Sequence, residues 1–147
     1  MKIPQLSIFI ENRPGKLGIP CKVLAKEGIN ILTLSLADTQ QFGILRLIVR
    51  DWEKAKAVLE GAGCAVRVNE VIAIEVEDRP GGLVEILKVF EGASINVEYM
   101  YAFTLRRGDK AVLVFSVDRI NEAIAALQNA RIGVIAHVDL YDRLENH

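Results

Sequence analysis

Five residues near the start of the chain, Glu11-Asn12-Arg13-Pro14-Gly15, return almost unchanged as Glu77-Asp78-Arg79-Pro80-Gly81, a spacing of 66 residues. The flanks return at the same interval: Leu6, Ile8 and Ile10 as Ile72, Ile74 and Val76, Leu17 as Leu83, and Ile29-Asn30-Ile31 as Ile95-Asn96-Val97. Farther on the interval is 68, matching Ala55 and Leu59 to Ala123 and Leu127, which puts a little extra length into a hairpin loop of the second copy. Self-similarity over nearly the whole chain means one small unit written twice. We expect two domains, residues 1–70 and 71–147. A unit of that size buries only about 60% of its unfolded surface and is marginal alone, whereas two packed together escape the limit. Nothing between Glu70 and Ile72 resembles a linker, so a tightly joined pair with shared surfaces and continuous or adjacent sheets is expected.

Each copy spells the same order of elements. Leu6, Ile8 and Ile10 alternate on one face of a strand. A helix after Pro14-Gly15 carries Leu17, Cys21 and Leu24, and Gly28 ends it. Pro20 inside that pattern removes a backbone donor and predicts a late helix start or a kink. Residues 31–37 and 43–49 read as a strand hairpin. Asp51 caps a helix bearing Trp52, Ala55, Val58, Leu59 and Ala62, and 66–70 is a fourth strand. In the second copy 71–77 is the first strand, and Leu83, Ile86, Leu87 and Phe90 take ideal helical spacing. Residues 97–103 and 111–117 form the hairpin, Asp118 opens a helix with Ile120, Ala123, Ile124 and Leu127 inward, and 134–140 closes the unit as a strand. Each half therefore reads βαββαβ: an α+β, ferredoxin-like antiparallel sheet with both helices on one face.

Composition excludes several classes of function. A net charge of −1 gives no attraction to nucleic acid or anionic membrane, and Arg106-Arg107 with Lys110, the densest basic spot, reads as a solvated hairpin tip. No apolar run approaches the roughly 18–20 residues of a membrane span. The N-terminus lacks the pattern of a secretion signal, and Cys21 and Cys64 stand alone, so the expected location is the cytoplasm. Phosphate-cradling loops, nucleophile elbows and zinc-protease motifs are absent. His137 in the last strand pattern and His147 at the terminus form no zinc ligand set with the two cysteines. Neither catalysis, nor a cofactor, nor a metal is expected.

The duplicated strand–loop–helix junction does carry binding chemistry. A helix N-terminus presents unpaired N–H groups and the positive end of the helix dipole, which suit a carboxylate. Gly15 and Gly81 leave the backbone approachable, and Pro14 and Pro80 fix the entering chain. Asn12 both donates and accepts, and so complements either end of a zwitterion. Asn30 begins the strand beside this loop in a ferredoxin-like sheet. The same residues also suit a purely structural role: Asn12 and Asp78 as helix caps, Asn30 and Asn96 as turn residues. Tyr99, Tyr101 and Phe103 on the second hairpin either line a pocket for a large side chain or pack the sheet.

Glu-Asn-Arg-Pro-Gly, Leu17, a helix, Gly28-Ile29-Asn30-Ile31 and an amphipathic strand together resemble the ACT domain, and Asp78-Arg79-Pro80-Gly81, Leu83 and Ile95-Asn96-Val97 resemble it again. The match spans practically the whole chain and leaves no catalytic domain. The resemblance implies βαββαβ units that bind an amino acid where two such domains meet, and so regulate a separate metabolic enzyme or regulator. In amino-acid-binding members, the Asn before Pro-Gly and the Asn opening the second strand contact the ligand. Carried over, the site residues are Asn12, Arg13, Pro14, Gly15, Asn30 and Ile31 in the first copy, and Asp78, Gly81, Asn96 and Val97 in the second. Asp78 departs from the pattern, since a carboxylate there favours an ammonium and repels a ligand carboxylate. A homodimer is expected, because tandem units still have outward strand edges to cover. Two other readings stand beside this one: a regulatory subunit of an acetolactate-synthase-like enzyme, against which the second copy counts, and a structural interaction module.

Overall fold

The computed structural model describes residues 1–39, 41–104 and 110–145; the Arg106-Arg107 pair and His147 lie outside them. The elements in chain order are β1 (Ile3–Glu11), α1 (Gly18–Lys26), β2 (Thr33–Thr39), β3 (Phe42–Ile48), α2 (Trp52–Gly61), β4 (Ala65–Glu77), α3 (Gly82–Gly92), β5 (Val97–Thr104), β6 (Lys110–Val117), α4 (Ile120–Asn129) and α5 (His137–Glu145). They group into two compact units, Pro4–Asn69 and Glu70–His147, the latter including Met1–Ile3. The strands expected at 66–70 and 71–77 are one strand, β4. No glycine or proline interrupts Ala65–Glu77, so nothing forces a break.

In the N-terminal unit the strands run β2-β3-β1-β4. Leu6 stands opposite Leu47 and Ile8 opposite Leu45, so the period-2 apolar residues of β1 and β3 share one face. That face closes with Leu24 of α1 and Ala55 and Leu59 of α2 into one buried cluster. The C-terminal unit repeats the scheme with order β4-β6-β5. Ile72, Ile74, Leu113 and Phe115 pack against Ile86 and Phe90 of α3 and Ala123 and Leu127 of α4. Phe90 meets Phe115 edge to face, with centroids 5.2 Å apart.

Helices α1 to α4 end alike. Gly28, Gly63, Ser94 and Arg131 take positive φ directly after the C-cap residue. The next amide reaches back to the last turn in each case: Ile29 to Leu24, Cys64 to Leu59, Ile95 to Phe90 and Ile132 to Leu127, at 2.8–3.0 Å. This is the Schellman arrangement, in which the left-handed residue satisfies carbonyls the helix leaves open. Glycine serves it without strain in the first copy; Ser94 and Arg131 serve it at a cost in the second.

Three expectations fail in detail. Helix α1 starts late, at Gly18, as Pro20 predicts, with that proline buried as its third residue, where a missing N–H costs no intrahelical bond; Leu17, expected on its inner face, falls outside it. Leu17 is thereby left 42% exposed. Asn12, Asp78, Asp51 and Asp118 do not cap helices. The N-cap residues of α1, α3 and α4 are Leu17, Gly81 and Arg119, and Asp51 holds the N-cap position of α2 without a side-chain bond. Asp118 instead accepts from the Asn96 amide at 3.0 Å while its own amide donates to the Asn96 carbonyl at 3.2 Å.

The third failure is the strand expected over 134–140. Only a single bridge, Val134 to Ile74, and one bond from the Ile135 amide to the Ala73 carbonyl stand in its place. From His137 the chain is helical. Val134, Ala136, Val138 and Leu140 alternate as a strand, but His137, Leu140, Tyr141 and Leu144 fall at i, i+3, i+4 and i+7. The helical set wins: Leu140 and Tyr141 are buried while Val138 is 48% exposed.

Candidate functional site

The two junctions share a left-handed glycine but differ beyond it: α3 starts directly after Gly81, whereas α1 starts three residues after Gly15. Gly15 and Gly81 both adopt the left-handed conformation, φ +85° and +87°, which only glycine takes without strain. In the first copy the Asn12 amide donates to the Gln41 carbonyl at 3.0 Å, tying the loop to the β2–β3 hairpin, and Arg13 pairs with Glu11. Asn12, Arg13, Pro14, Gly15 and Asn30 are exposed, whereas Ile31 packs against the N-terminal core. Asn30 does not begin a strand beside this loop, because β3 separates β2 from β1, and Glu11 faces Phe42 at one end of β3 while Leu32 bonds to Ile48 at the other. In the second copy Val97 likewise packs against its core, and the Asn96 main chain is held by Asp118.

Arg79 organises the second junction. Its Nε donates to Glu77 at 2.8 Å, one Nη to Glu85 at 3.3 Å and the other to the Pro80 carbonyl at 3.3 Å. The bond with Glu77, then that with Glu85, holds the guanidinium pKa above its ordinary value. Arg13 has no counterpart of Glu85, because Ile19 stands at that repeat position. Nearby, Glu75 is paired with Lys110 at 3.0 Å and with Arg143 of α5, so the helix that replaces the expected strand is anchored to β4 by charge.

Between the end of the sheet and α3 the C-terminal unit holds a cavity of about 430 Å³. Its apolar walls include Val76, Leu83, Ala102, Ala111 and Leu113, and Asp78 and Arg79 stand at its polar end. The register explains the space. Ala102 faces Leu113, and Thr104 faces Ala111, so two small residues occupy the helix side of the strand ends. In the first copy the matching positions are Leu36 and Gly43, and Leu36 Cδ1 and Ile10 Cγ1 each come within 3.3 Å of where a Gly43 Cβ would stand. Ala102 thus stands in the second copy where the first has Leu36, a side chain that reaches Gly43 while remaining 50% exposed.

Of the residues singled out from sequence, this cavity gathers Asp78; among the described residues Gly81, Asn96 and Val97 do not line it. Phe103 contributes to the lining, but Tyr101 and Phe103 pair with Val114 and Val112, the face opposite Leu113, so the aromatic stripe lies mainly on the other side of the sheet. Sequence reasoning missed Leu83, Ala102 and Ala111 as cavity walls. The available signal was the pair of small residues at repeat positions where the first copy has Leu36 and Gly43.

The fold and its duplicated junctions define a tandem pair of ferredoxin-like modules, the second of which holds a cavity beside its β–loop–α turn. The family model described as the ACT domain pair matches residues 1–144, and the chain belongs to that family, a regulatory small-molecule-binding module rather than a catalytic one. A crystal structure of protein BT0572 from Bacteroides thetaiotaomicron is similar, with 36% identity over 96% of both chains and a TM-score of 0.90. The regulatory subunit of aspartate kinase from Thermus thermophilus, in its ligand-free form, shares the fold at 14% identity, covering 86% of this chain and 91% of its own, with a TM-score of 0.61. That from Thermus flavus is alike, at 14% identity, the same coverage and a TM-score of 0.60. No curated protein matches the sequence. No described helix is long and apolar enough to cross a membrane.

Proposed function

We propose that this protein is a cytoplasmic effector-binding regulator with no catalysis of its own, built of domains 1–70 and 71–147. It binds a free amino acid at the Asn12 junction and passes the bound state to a separately encoded enzyme or regulator of amino-acid metabolism. It works as a homodimer. The observation that carries the reading is the ACT domain pair across residues 1–144, with the left-handed Pro-Gly junction present in both copies. Asn12 supplies a neutral amide that both donates and accepts, and it brings no charge that repels either end of a zwitterion. Ligand changes the partner only through its differential affinity for two arrangements of the protein.

Titration calorimetry of wild type, Asn12→Ala and Asp78→Asn tests this. A lost hydrogen bond to a charged ligand group costs about 1.5–3 kcal/mol, so Asn12→Ala should weaken the amino acid roughly 10- to 150-fold, with Asp78→Asn unchanged at that site. If Asn12→Ala binds like wild type and Asp78→Asn loses the ligand, the sites are assigned the wrong way round.

A further inference from the structure

We propose that the outer face of the N-terminal sheet, the one turned away from α1 and α2, is a stacking platform for single-stranded nucleic acid. Leu6, Ile8, Leu45 and Leu47 face the helices, so the alternate residues Phe9 of β1 and Phe42 and Ile44 of β3 lie on the opposite side. The two strands are neighbours at the centre of the order β2-β3-β1-β4, and Phe9 stands directly opposite Ile44. Phe9 is 43% and Phe42 51% exposed. The Arg67 guanidinium of β4 lies 5.9 Å from the centre of the Phe9 ring and, among the described residues, makes no ion pair. Four-stranded sheets that read single-stranded RNA stack unpaired bases on aromatic side chains of one face, and arginine adds to such stacks.

The second copy supplies the contrast. Glu75 and Lys110 stand at the repeat positions of Phe9 and Phe42 and pair with each other at 3.0 Å, and Arg143 of α5 bonds the same carboxylate. One copy thus neutralises this face within itself, and the other leaves two rings open. Charge selects the occupant. Glu11, the carboxylate of β1 on this face, is already paired with Arg13, whereas Arg67 is uncommitted. A second copy of the chain laid on this face would bring another Arg67 and, among the described residues of the face, no unpaired carboxylate to meet it. A nucleic acid brings phosphates for the guanidinium and flat bases for the rings. A net charge of −1 exerts no long-range pull on a polyanion, so binding here rests on stacking and on one or two local phosphate contacts. The inference does not need the amino-acid reading of the Asn12 junction and is tested apart from it.

The test is fluorescence anisotropy of the full chain with labelled oligo(U) and oligo(dT) of about ten nucleotides, and with a duplex of the same length as control. Amide-resolved NMR places the contact. At least one single strand should bind, with the duplex at least about 10-fold weaker, since its bases are not free to stack on the rings. Shifts should appear at the amides of Phe9, Ile44 and Arg67 and not at Glu75 and Val112. Phe9→Leu and Phe42→Leu keep an apolar residue at these exposed positions but remove the ring, and each should weaken the strand at least about 5-fold. Phe9→Tyr, which keeps the ring, should bind within about 2-fold of wild type. Raising salt from about 50 to about 200 mM should weaken binding only roughly 3- to 7-fold, as one or two phosphate contacts require. Neither single strand binding at up to about 100 µM protein, a duplex that binds equally well, or leucine variants that bind like wild type would overturn the proposal. So would a Phe9→Leu variant that turns a dimer into a monomer, because this face would then be a subunit interface.

Discussion

Replacing Gly82 by alanine probes the close contact that shapes the second junction. The new Cβ would lie 2.8 Å from the Glu77 carbonyl oxygen, inside the shortest separation real Cβ atoms show, and the obstacle is backbone rather than a flexible side chain. That oxygen also accepts the Arg79 amide at 2.9 Å, so moving it disturbs the whole turn. Overpacking of this kind costs about 1–3 kcal/mol. Relief of glycine's backbone entropy returns at most about 0.5–1 kcal/mol, leaving a net loss on the order of 1–2 kcal/mol. Gly92, the last residue of the same helix, has nothing within 4 Å of its notional Cβ and no positive φ, so Gly92→Ala should gain up to about 0.5–1 kcal/mol. Urea unfolding of both variants at constant m gives the comparison directly. If Gly82→Ala is as stable as Gly92→Ala, the reading of a backbone clamp between β4 and α3 is wrong.

Phe90→Ala removes the ring that meets Phe115 in the buried C-terminal core, and should cost about 3–5 kcal/mol by the same assay. Arg131→Gly relieves a left-handed residue at the end of α4 and should raise stability by about 0.5–1 kcal/mol; an unchanged midpoint would mean that φ of +59° carries no strain. Burial pushes the Cys64 thiol above its ordinary pKa of 9.0, so the folded chain disfavours the thiolate. Stability should then fall as pH rises past 9.0, the value the unfolded thiol keeps, and Cys64→Ser should remove that slope. Light scattering should return twice the 16.3 kDa chain mass at tens of micromolar protein, and a monomer mass would contradict the dimer.

The fold was legible wherever apolar period and burial agree. Leu6 and Ile8 are fully buried, and Ile86 with Phe90 and Ala123 with Leu127 sit in the core as their spacing requires. Sequence failed where two periods compete or where a distant partner decides. Residues 134–140 satisfy a strand pattern, and only Tyr141 and Leu144 beyond them reveal the helix that α5 forms. Asp118 looks like a cap because caps are local, yet its carboxylate turns to the Asn96 amide across 22 positions of sequence. At the candidate site the loop residues were visible through the repeat. The cavity was not, because it comes from the small side chains Ala102 and Ala111 on strands whose register with β4 must be known first.

The central claim is that this ACT domain pair is a receptor for a free amino acid, and thermal unfolding of wild-type protein against each of the 20 common amino acids tests it most directly. A ligand at ~100 times its dissociation constant stabilises by about 2.7 kcal/mol. For a chain of 147 residues that corresponds to a rise of roughly 5–10 °C in Tm. The account predicts such a rise for one amino acid or a small chemically related group, lost in Asn12→Ala. A flat response across all 20, at concentrations up to tens of millimolar, would contradict it.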